Sequence, residues 1–199
     1  AGVKSILLAE RIMLNFIQRL SGIASMTNDY VNALNNPKIK LLDTRKTTPL
    51  LRFLEKEAVK AGGGYSHRTN LSEMVLIKEN HLSQLAKENQ IHTLNDKIQT
   101  FKEKNPKIAI EMEVDCLDQL KNWNLSLVDI ILFDNFPLDQ LQEAIKLCHA
   151  KHYHCDREVS GNISLSNIHH YQNLDIHRIS VGRITHSATA IDFSLLMNE

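Results

Sequence analysis

Two hydrophobic periods alternate along the chain. Over 4–20, apolar residues recur at Ile6, Ala9, Met13, Ile17 and Leu20, close to a 3.6-residue repeat, which predicts a helix with Ser21-Gly22 as its stop signal. A second helix is expected over 27–34, broken by Asn35-Asn36-Pro37. Beyond it, short apolar runs and helical runs take turns. Strands are expected at 39–43, 74–77, 108–114, 128–133, 156–160 and 178–181. Helices are expected at 49–61, 95–104, 117–123, 137–149 and 164–171. Pro49 and Pro137 stand where helices would open, and Asn105-Pro106 where one would end.

Strands alternating with helices imply a parallel sheet covered by helices. The expected fold class is α/β: a (β/α) barrel-like domain of six or seven parallel strands behind a helical N-terminal segment. The lead-in occupies 1–36, the alternating elements 37–187, and an apolar tail 188–199. In such barrels the C-terminal strand ends form the rim that carries chemistry, and an open doubly wound sheet would use the same ends.

Composition narrows the classes of function. With 199 residues, 43% hydrophobic and 23% charged, the chain can bury one large core. Its formal net charge is zero without a basic block, so a nucleic-acid footprint is not expected. No apolar run has membrane-spanning length and no secretory leader pattern is present, so neither a membrane nor export is expected. Cys116, Cys148 and Cys155 are irregularly spaced, which fits a reducing cytoplasm better than a disulfide framework.

The rim, read strand by strand, carries Arg45 and Lys46, then Lys78, Glu113, Asp134, Ser160-Gly161 and Ser180 with Gly182. Arg11, Arg45, Lys46, Arg68 and Lys78, with His67, suit a small polyanion, because guanidinium groups pair with carboxylates and phosphates through two parallel hydrogen bonds. Glu113 and Asp134 are natural Mg2+ partners, directly or through water, since magnesium takes oxygen ligands. Glu111, on the same strand face as Glu113, competes for that role. Ser160-Gly161-Asn162 and Ser180-Val181-Gly182, with Thr185-His186-Ser187, offer hydroxyls and backbone N–H groups for a phosphate. The triplet Gly62-Gly63-Gly64 is expected to free the backbone for positive φ or for close approach to a ligand. Cys148-His149, His152 and His154-Cys155 match no usual zinc spacing and read as surface composition.

With these residues in place, the chain resembles the quinolinate phosphoribosyltransferase family, also called nicotinate-nucleotide pyrophosphorylase (carboxylating). The resemblance runs through Ala9-Glu10-Arg11, Ser21-Gly22-Ile23-Ala24, 43–49, Gly62-Gly63-Gly64 with His67-Arg68, and Ile77-Lys78-Glu79-Asn80-His81. It continues through Glu111-Met112-Glu113, Asp134-Asn135, Ser160-Gly161 and Ser180-Val181-Gly182. It implies phosphoribosyl transfer from phosphoribosyl pyrophosphate to quinolinate, with decarboxylation to nicotinate mononucleotide in NAD biosynthesis and with Mg2+ as cofactor. By position, Arg11, Arg45, His67, Arg68 and Lys78 resemble the quinolinate-binding residues. Lys46, Glu113, Asp134, Ser160, Gly161, Ser180, Gly182 and His186 resemble those for phosphoribosyl pyrophosphate. The chemistry falls to Lys46, Lys78, Glu113 and Asp134.

The resemblance also implies a homodimer or higher homo-oligomer in which Arg11 enters the partner's site. The family's N-terminal α/β domain is absent from this sequence, and the tail 191–197 would pack toward it. Three departures stand out: Leu50 and Asn162 where the family favours glycine, and Glu79 where it favours Asp. The alternatives are a related phosphoribosyltransferase-like protein of molybdenum-transport operons, and an inactive anion-binding barrel.

Overall fold

The computed structural model describes residues 3–87 and 93–196. Its frame is one sheet of six strands in the order β1-β6-β5-β4-β3-β2, every pair parallel. The strands are β1 (Lys40–Leu42), β2 (Met74–Ile77), β3 (Ala109–Val114), β4 (Ile130–Asp134), β5 (Asp156–Ser160) and β6 (Arg178–Ser180). The helices between them are α2 (Arg52–Ala61), α3 (Glu79–Lys87), α4 (Leu94–Lys104), α5 (Leu117–Asn122) and α6 (Leu138–Ala150); α1 (Val3–Leu34) precedes the sheet and α7 (Arg183–His186) follows it.

β1 and β2, consecutive in sequence, stand at opposite edges of the ladder, as barrel curling requires. The edges approach each other through the segment after α2. Tyr65 bridges Leu42 in parallel on the free side of β1, where a seventh strand would lie. Nη1 of Arg68 donates to the Met74 carbonyl of β2 at 2.9 Å. The side chain of His67 reaches Glu111 on β3 and Glu158 on β5, with β4 between them. All three side chains therefore meet on one face of the sheet, the face enclosed as the edges approach at Tyr65 and Arg68. The expected barrel-like fold is therefore present, with six strands and a seam bridged by side chains.

Alternation along each strand divides its residues between two environments. Ile110, Met112, Ile131, Phe133, Val159 and Ile179 are buried in the apolar core. The intervening residues face the barrel interior, and there the chain places Glu111, Glu158 and the rim residues.

Several element boundaries differ from expectation. The two predicted N-terminal helices are one helix of 32 residues, and Ser21-Gly22 lies inside it. Gly22 is there for packing: a Cβ on it would lie 2.0 Å from the Thr189 carbonyl oxygen, where the tail crosses α1. The predicted apolar face is only partly covered, with Met13 and Ile17 exposed while Leu14, Ile23, Tyr30 and Leu34 are buried. α2 begins at Arg52 rather than at Pro49, because Leu50 takes a left-handed φ of 66° that a helix cannot include. α3 was not anticipated. The expected helix at 164–171 is reduced to a 3-10 turn, Ile168–Tyr171.

The tail lies along α1: Ile191 donates its N–H to the Gln18 carbonyl, and the Gln18 amide donates to the Phe193 carbonyl. Met197, also expected in the tail, falls outside the described residues. No described helix is long and apolar enough to cross a membrane.

Candidate active site

A cavity of about 700 Å3 opens at the C-terminal strand ends. Every site residue expected from the sequence lines it except Arg11. Arg11 is exposed on α1 and is not part of this chain's own cavity.

One wall is cationic. Arg45 and Lys46 follow β1, Arg68 follows the Tyr65 bridge, and Lys78 follows β2. The Nε of Arg45 is buried without a hydrogen-bond partner among the described residues. Burial and the charge of Arg45 both push the Arg68 pKa down, against the pull of Glu111. Two guanidinium groups that disfavour each other, one with an unanswered donor, form a site whose charge an anion would complete. Lys78 is half exposed and pairs with Glu113 at 2.8 Å. Its backbone N–H donates to Nδ1 of His81, which fixes the end of β2 against the start of α3.

The 43–49 segment divides its work. Asp43 is fully buried and takes no place in the cavity lining. Both its oxygens accept from Lys56 Nζ, at 2.6 and 2.7 Å, and Oδ1 also accepts the His67 N–H at 2.9 Å. Burial pushes the Asp43 carboxyl above its usual range; Lys56 and His67 only moderate that. Thr48 donates its hydroxyl and its N–H to Glu55, and the Thr47 hydroxyl accepts from Arg52. The threonines fasten the loop to α2, leaving Arg45 and Lys46 to the cavity.

Opposite lie the acids and the small-residue loops. Glu113 on β3 is the register partner of Leu132, and Asp134 stands two residues further along β4, so the carboxylates are neighbours on the interior face. Asp134 accepts from the Ser160 hydroxyl and from the Asn135 amide. Gly161 takes a φ of 92°, and a Cβ there would lie 2.1 Å from Asn135 Oδ1. Asn162 sits at a φ of 52° and turns its amide to Asn135 Oδ1 at 3.0 Å. Asparagine tolerates that left-handed backbone better than most side chains. On the β6 side, Cβ of a residue at 182 would meet the His186 ring at 3.2 Å and Lys46 at 3.4 Å, so Gly182 lets both side chains close over the loop.

Glu111, the competitor of Glu113, is not at the rim. It is fully buried one step deeper, with His67. The triplet Gly62-Gly63-Gly64 is also away from the cavity: Gly63 supplies a positive φ of 88°, and Gly62 lets α2 end 2.3 Å, measured from a would-be Cβ, from the Ala24 carbonyl of α1. The Cys/His stretch forms no ligand cluster among the described residues. Cys148 is buried, His149 pairs with Asp175, and burial pushes the Cys148 and Cys155 thiols up to about 12 and about 11. Sequence reasoning missed Glu158, Arg178 and Lys56, the charged residues beneath and behind the site.

Comparison with known proteins places the chain in a family. Residues 23–196 match the family described as quinolinate phosphoribosyl transferase, C-terminal domain. A probable nicotinate-nucleotide pyrophosphorylase (carboxylating) of Bacillus subtilis is 39% identical over 191 residues, covering 96% of this chain and 63% of the relative. The nicotinate-nucleotide pyrophosphorylase (carboxylating) of Mycobacterium leprae is 37% identical, covering 98% and 66%. Among solved structures, NadC from Streptococcus pyogenes superposes with a TM-score of 0.85 at 42% identity, covering 98% of this chain and 66% of that one. The chain thus spans about two thirds of the length of these relatives. With a match across 174 of its residues, the chain belongs to the quinolinate phosphoribosyl transferase family through that family's C-terminal domain.

Proposed function

We propose that this chain is the catalytic barrel of an enzyme that transfers a phosphoribosyl group to quinolinate and releases pyrophosphate and carbon dioxide, forming nicotinate mononucleotide. The observation that carries the reading is the unpartnered Arg45 Nε beside Arg68, facing Glu113 and Asp134 across one cavity. A dianion fits the first wall and a phosphorylated sugar the second. The names of the relatives point the same way and favour this reading over the molybdenum-operon relative or an inactive barrel.

Arg45, Arg68, His67 and Lys78 would hold the two quinolinate carboxylates. Lys46, Gly161, Gly182 and His186 would hold the phosphates. The ring nitrogen then donates its electron pair to ribose C1 while the bond to pyrophosphate breaks, and that pair leaves with pyrophosphate. In the second step the bond to the 2-carboxylate breaks; its electrons remain on the ring carbon, which takes a proton. Positioning two bound anions for in-line attack can supply several kcal/mol of the barrier, on the order of 7 kcal/mol in well-oriented systems. Fixed cations at the leaving pyrophosphate add electrostatic stabilisation.

The Glu113 and Asp134 carboxylates are hard oxygen donors on one interior face, which fits Mg2+. They would hold the ion directly or through water. When bound, it would neutralise charge on the pyrophosphate. Oligomerisation is part of the proposal: Arg11 lies on a helix whose Leu7, Leu8, Ile12 and Phe16 are exposed, a surface suited to a second copy. Three free cysteines support a cytoplasmic setting.

The test is incubation of the full-length protein with quinolinate, phosphoribosyl pyrophosphate and Mg2+, following nicotinate mononucleotide. Formation of the product is expected. Use of nicotinate in place of quinolinate would move the assignment to a non-decarboxylating transferase.

A further inference from the structure

Behind His67, beneath the cavity floor, lie three charged residues to which the proposed reaction gives no part: Glu111, Glu158 and Arg178. His67 Nε2 is 3.0 Å from Glu111 Oε2, 3.3 Å from Glu111 Oε1 and 3.1 Å from Glu158 Oε1. Both carboxylates are fully buried, and the His67 side chain is 8% exposed. Arg178 Nε approaches the other Glu158 oxygen at 2.9 Å. Two basic and two acidic groups thus share the barrel interior; burial and Glu158 push the Glu111 carboxyl above its ordinary range, and His67 and Arg178 pull against that.

Only the Glu111 Oε1 contact is a hydrogen bond; the others are ionic. Three carboxylate oxygens surround one nitrogen that can carry one proton, and Glu158 has neither oxygen aligned in a hydrogen bond. Charge, more than the presence of an acceptor atom, therefore holds the ring in place. Nε2 makes all of these contacts, while His67 also lines the cavity above.

We propose that Glu111 and Glu158 are positioning residues for the anionic substrate: from inside the barrel they grip Nε2 of His67 and leave Nδ1 as the donor available to the cavity. This rests on the dicarboxylate reading of the site for the identity of the ligand, but not for the state of the histidine. Burial works to lower the His67 pKa, and the two glutamates more than reverse it, raising it to about 9. The other charged groups around the ring are Arg178 behind Glu158 and Asp43, which accepts the His67 N–H. The glutamates thereby favour the cationic form of the imidazole, beside Arg45 and Arg68 on the same wall. The same trio could instead serve as metal ligands, since its donor atoms lie within 4.8 Å of one another. The Arg178 guanidinium, already against Glu158, favours the imidazolium over a second, divalent cation.

The experiment compares the full-length protein with Glu158→Gln and Glu111→Gln, each keeping an acceptor atom and removing a charge. Thermal melting first establishes that the variants fold. Calorimetry then measures quinolinate and phosphoribosyl pyrophosphate binding separately, and 15N-histidine NMR follows protonation of the His67 ring. Expected for Glu158→Gln are a tenfold or greater loss of quinolinate affinity, less than a twofold change for phosphoribosyl pyrophosphate, and a His67 that loses its proton at lower pH than in the parent. Folded variants with parental quinolinate affinity and an unchanged His67 would overturn the proposal. So would tight Zn2+ binding that displaces the Nε2 proton. If the parent binds no quinolinate but its His67 is a cation that Glu158→Gln relaxes, the positioning stands and the dicarboxylate reading falls.

Discussion

Lys56 Nζ lies within 2.7 Å of both oxygens of Asp43, and the pair is buried, with 3% and 0% of the two side chains exposed. This contact bolts α2 to the end of β1. Asp43 also receives the His67 N–H, so the same carboxylate aligns the two segments that carry Arg45 and Arg68.

Lys56→Met would leave that carboxylate buried and unpaired. Breaking one side of a buried pair costs about 3–5 kcal/mol. We expect a loss of that order in urea denaturation. A change below about 1 kcal/mol would show that the pair is not structural.

Lys78→Ala separates chemistry from stability. The Lys78–Glu113 pair is half exposed on the lysine side, and such pairs contribute about 1 kcal/mol or less. Turnover by the full-length protein should nevertheless fall at least roughly 100-fold, the scale seen when one charge-stabilising group is removed. Melting temperature and kcat, measured on the same preparation, check both halves; near-parental kcat would displace Lys78 from the site.

His67 makes stability depend on pH with a definite sign. Its folded pKa is raised from 6.5 to about 9, so the folded state binds its proton more tightly than the unfolded chain. The resulting stabilisation is fully present below about pH 6.5 and is lost as pH rises through 9. Unfolding free energy should therefore decline across that window, and His67→Gln should flatten the decline.

Gly22→Ala inserts a methyl group where the tail carbonyl of Thr189 already sits. Overpacking of this kind costs typically about 1–3 kcal/mol. The tail should also detach from α1, seen as faster proteolysis within 188–196. Parental melting and cleavage would mean that the tail shifts at no cost.

Mixing tests the shared site. Arg11→Ala and Arg68→Ala, each inactive alone in the full-length protein, should regain about a quarter of parental activity when dimers are exchanged, since half of the dimers are mixed and each then holds one intact site. Continued inactivity with proven exchange would confine Arg11 to its own subunit.

The rim was legible because chemistry in parallel α/β folds collects at C-terminal strand ends, so Lys78 and Asp134 could be read off as the residues following apolar runs, and Glu113 and Ser160 as polar positions near the ends of alternating strands. The layer beneath was not. Asp156-Arg157-Glu158-Val159-Ser160 alternates polar with apolar or long side chains, a pattern that ordinarily marks a strand with one solvated face. In a curled sheet that second face is the interior, and Glu158 is fully buried. The signal was available in the spacing, for Glu158 precedes Ser160 by the same two residues that separate Glu111 from Glu113. The unbroken α1 was hidden for a different reason. Ser21-Gly22 is locally a stop, and only a contact with Thr189, far along the chain, makes glycine necessary within the helix. At Leu50 the reverse holds: the left-handed backbone there is one that glycine suits, and leucine adopts it while fully exposed.

The seam between β1 and β2 has a further consequence. Where a closed barrel would use ladder hydrogen bonds, this one uses the Arg68 guanidinium, donating to Met74 across the gap. The same guanidinium lines the cavity. A ligand that fixes Arg68 therefore fixes a stave of the barrel as well, and occupancy of the site and closure of the wall become one equilibrium. Any anion that fills the cavity should raise the melting temperature of the whole domain, and loosening the seam should be felt first as weakened ligand binding.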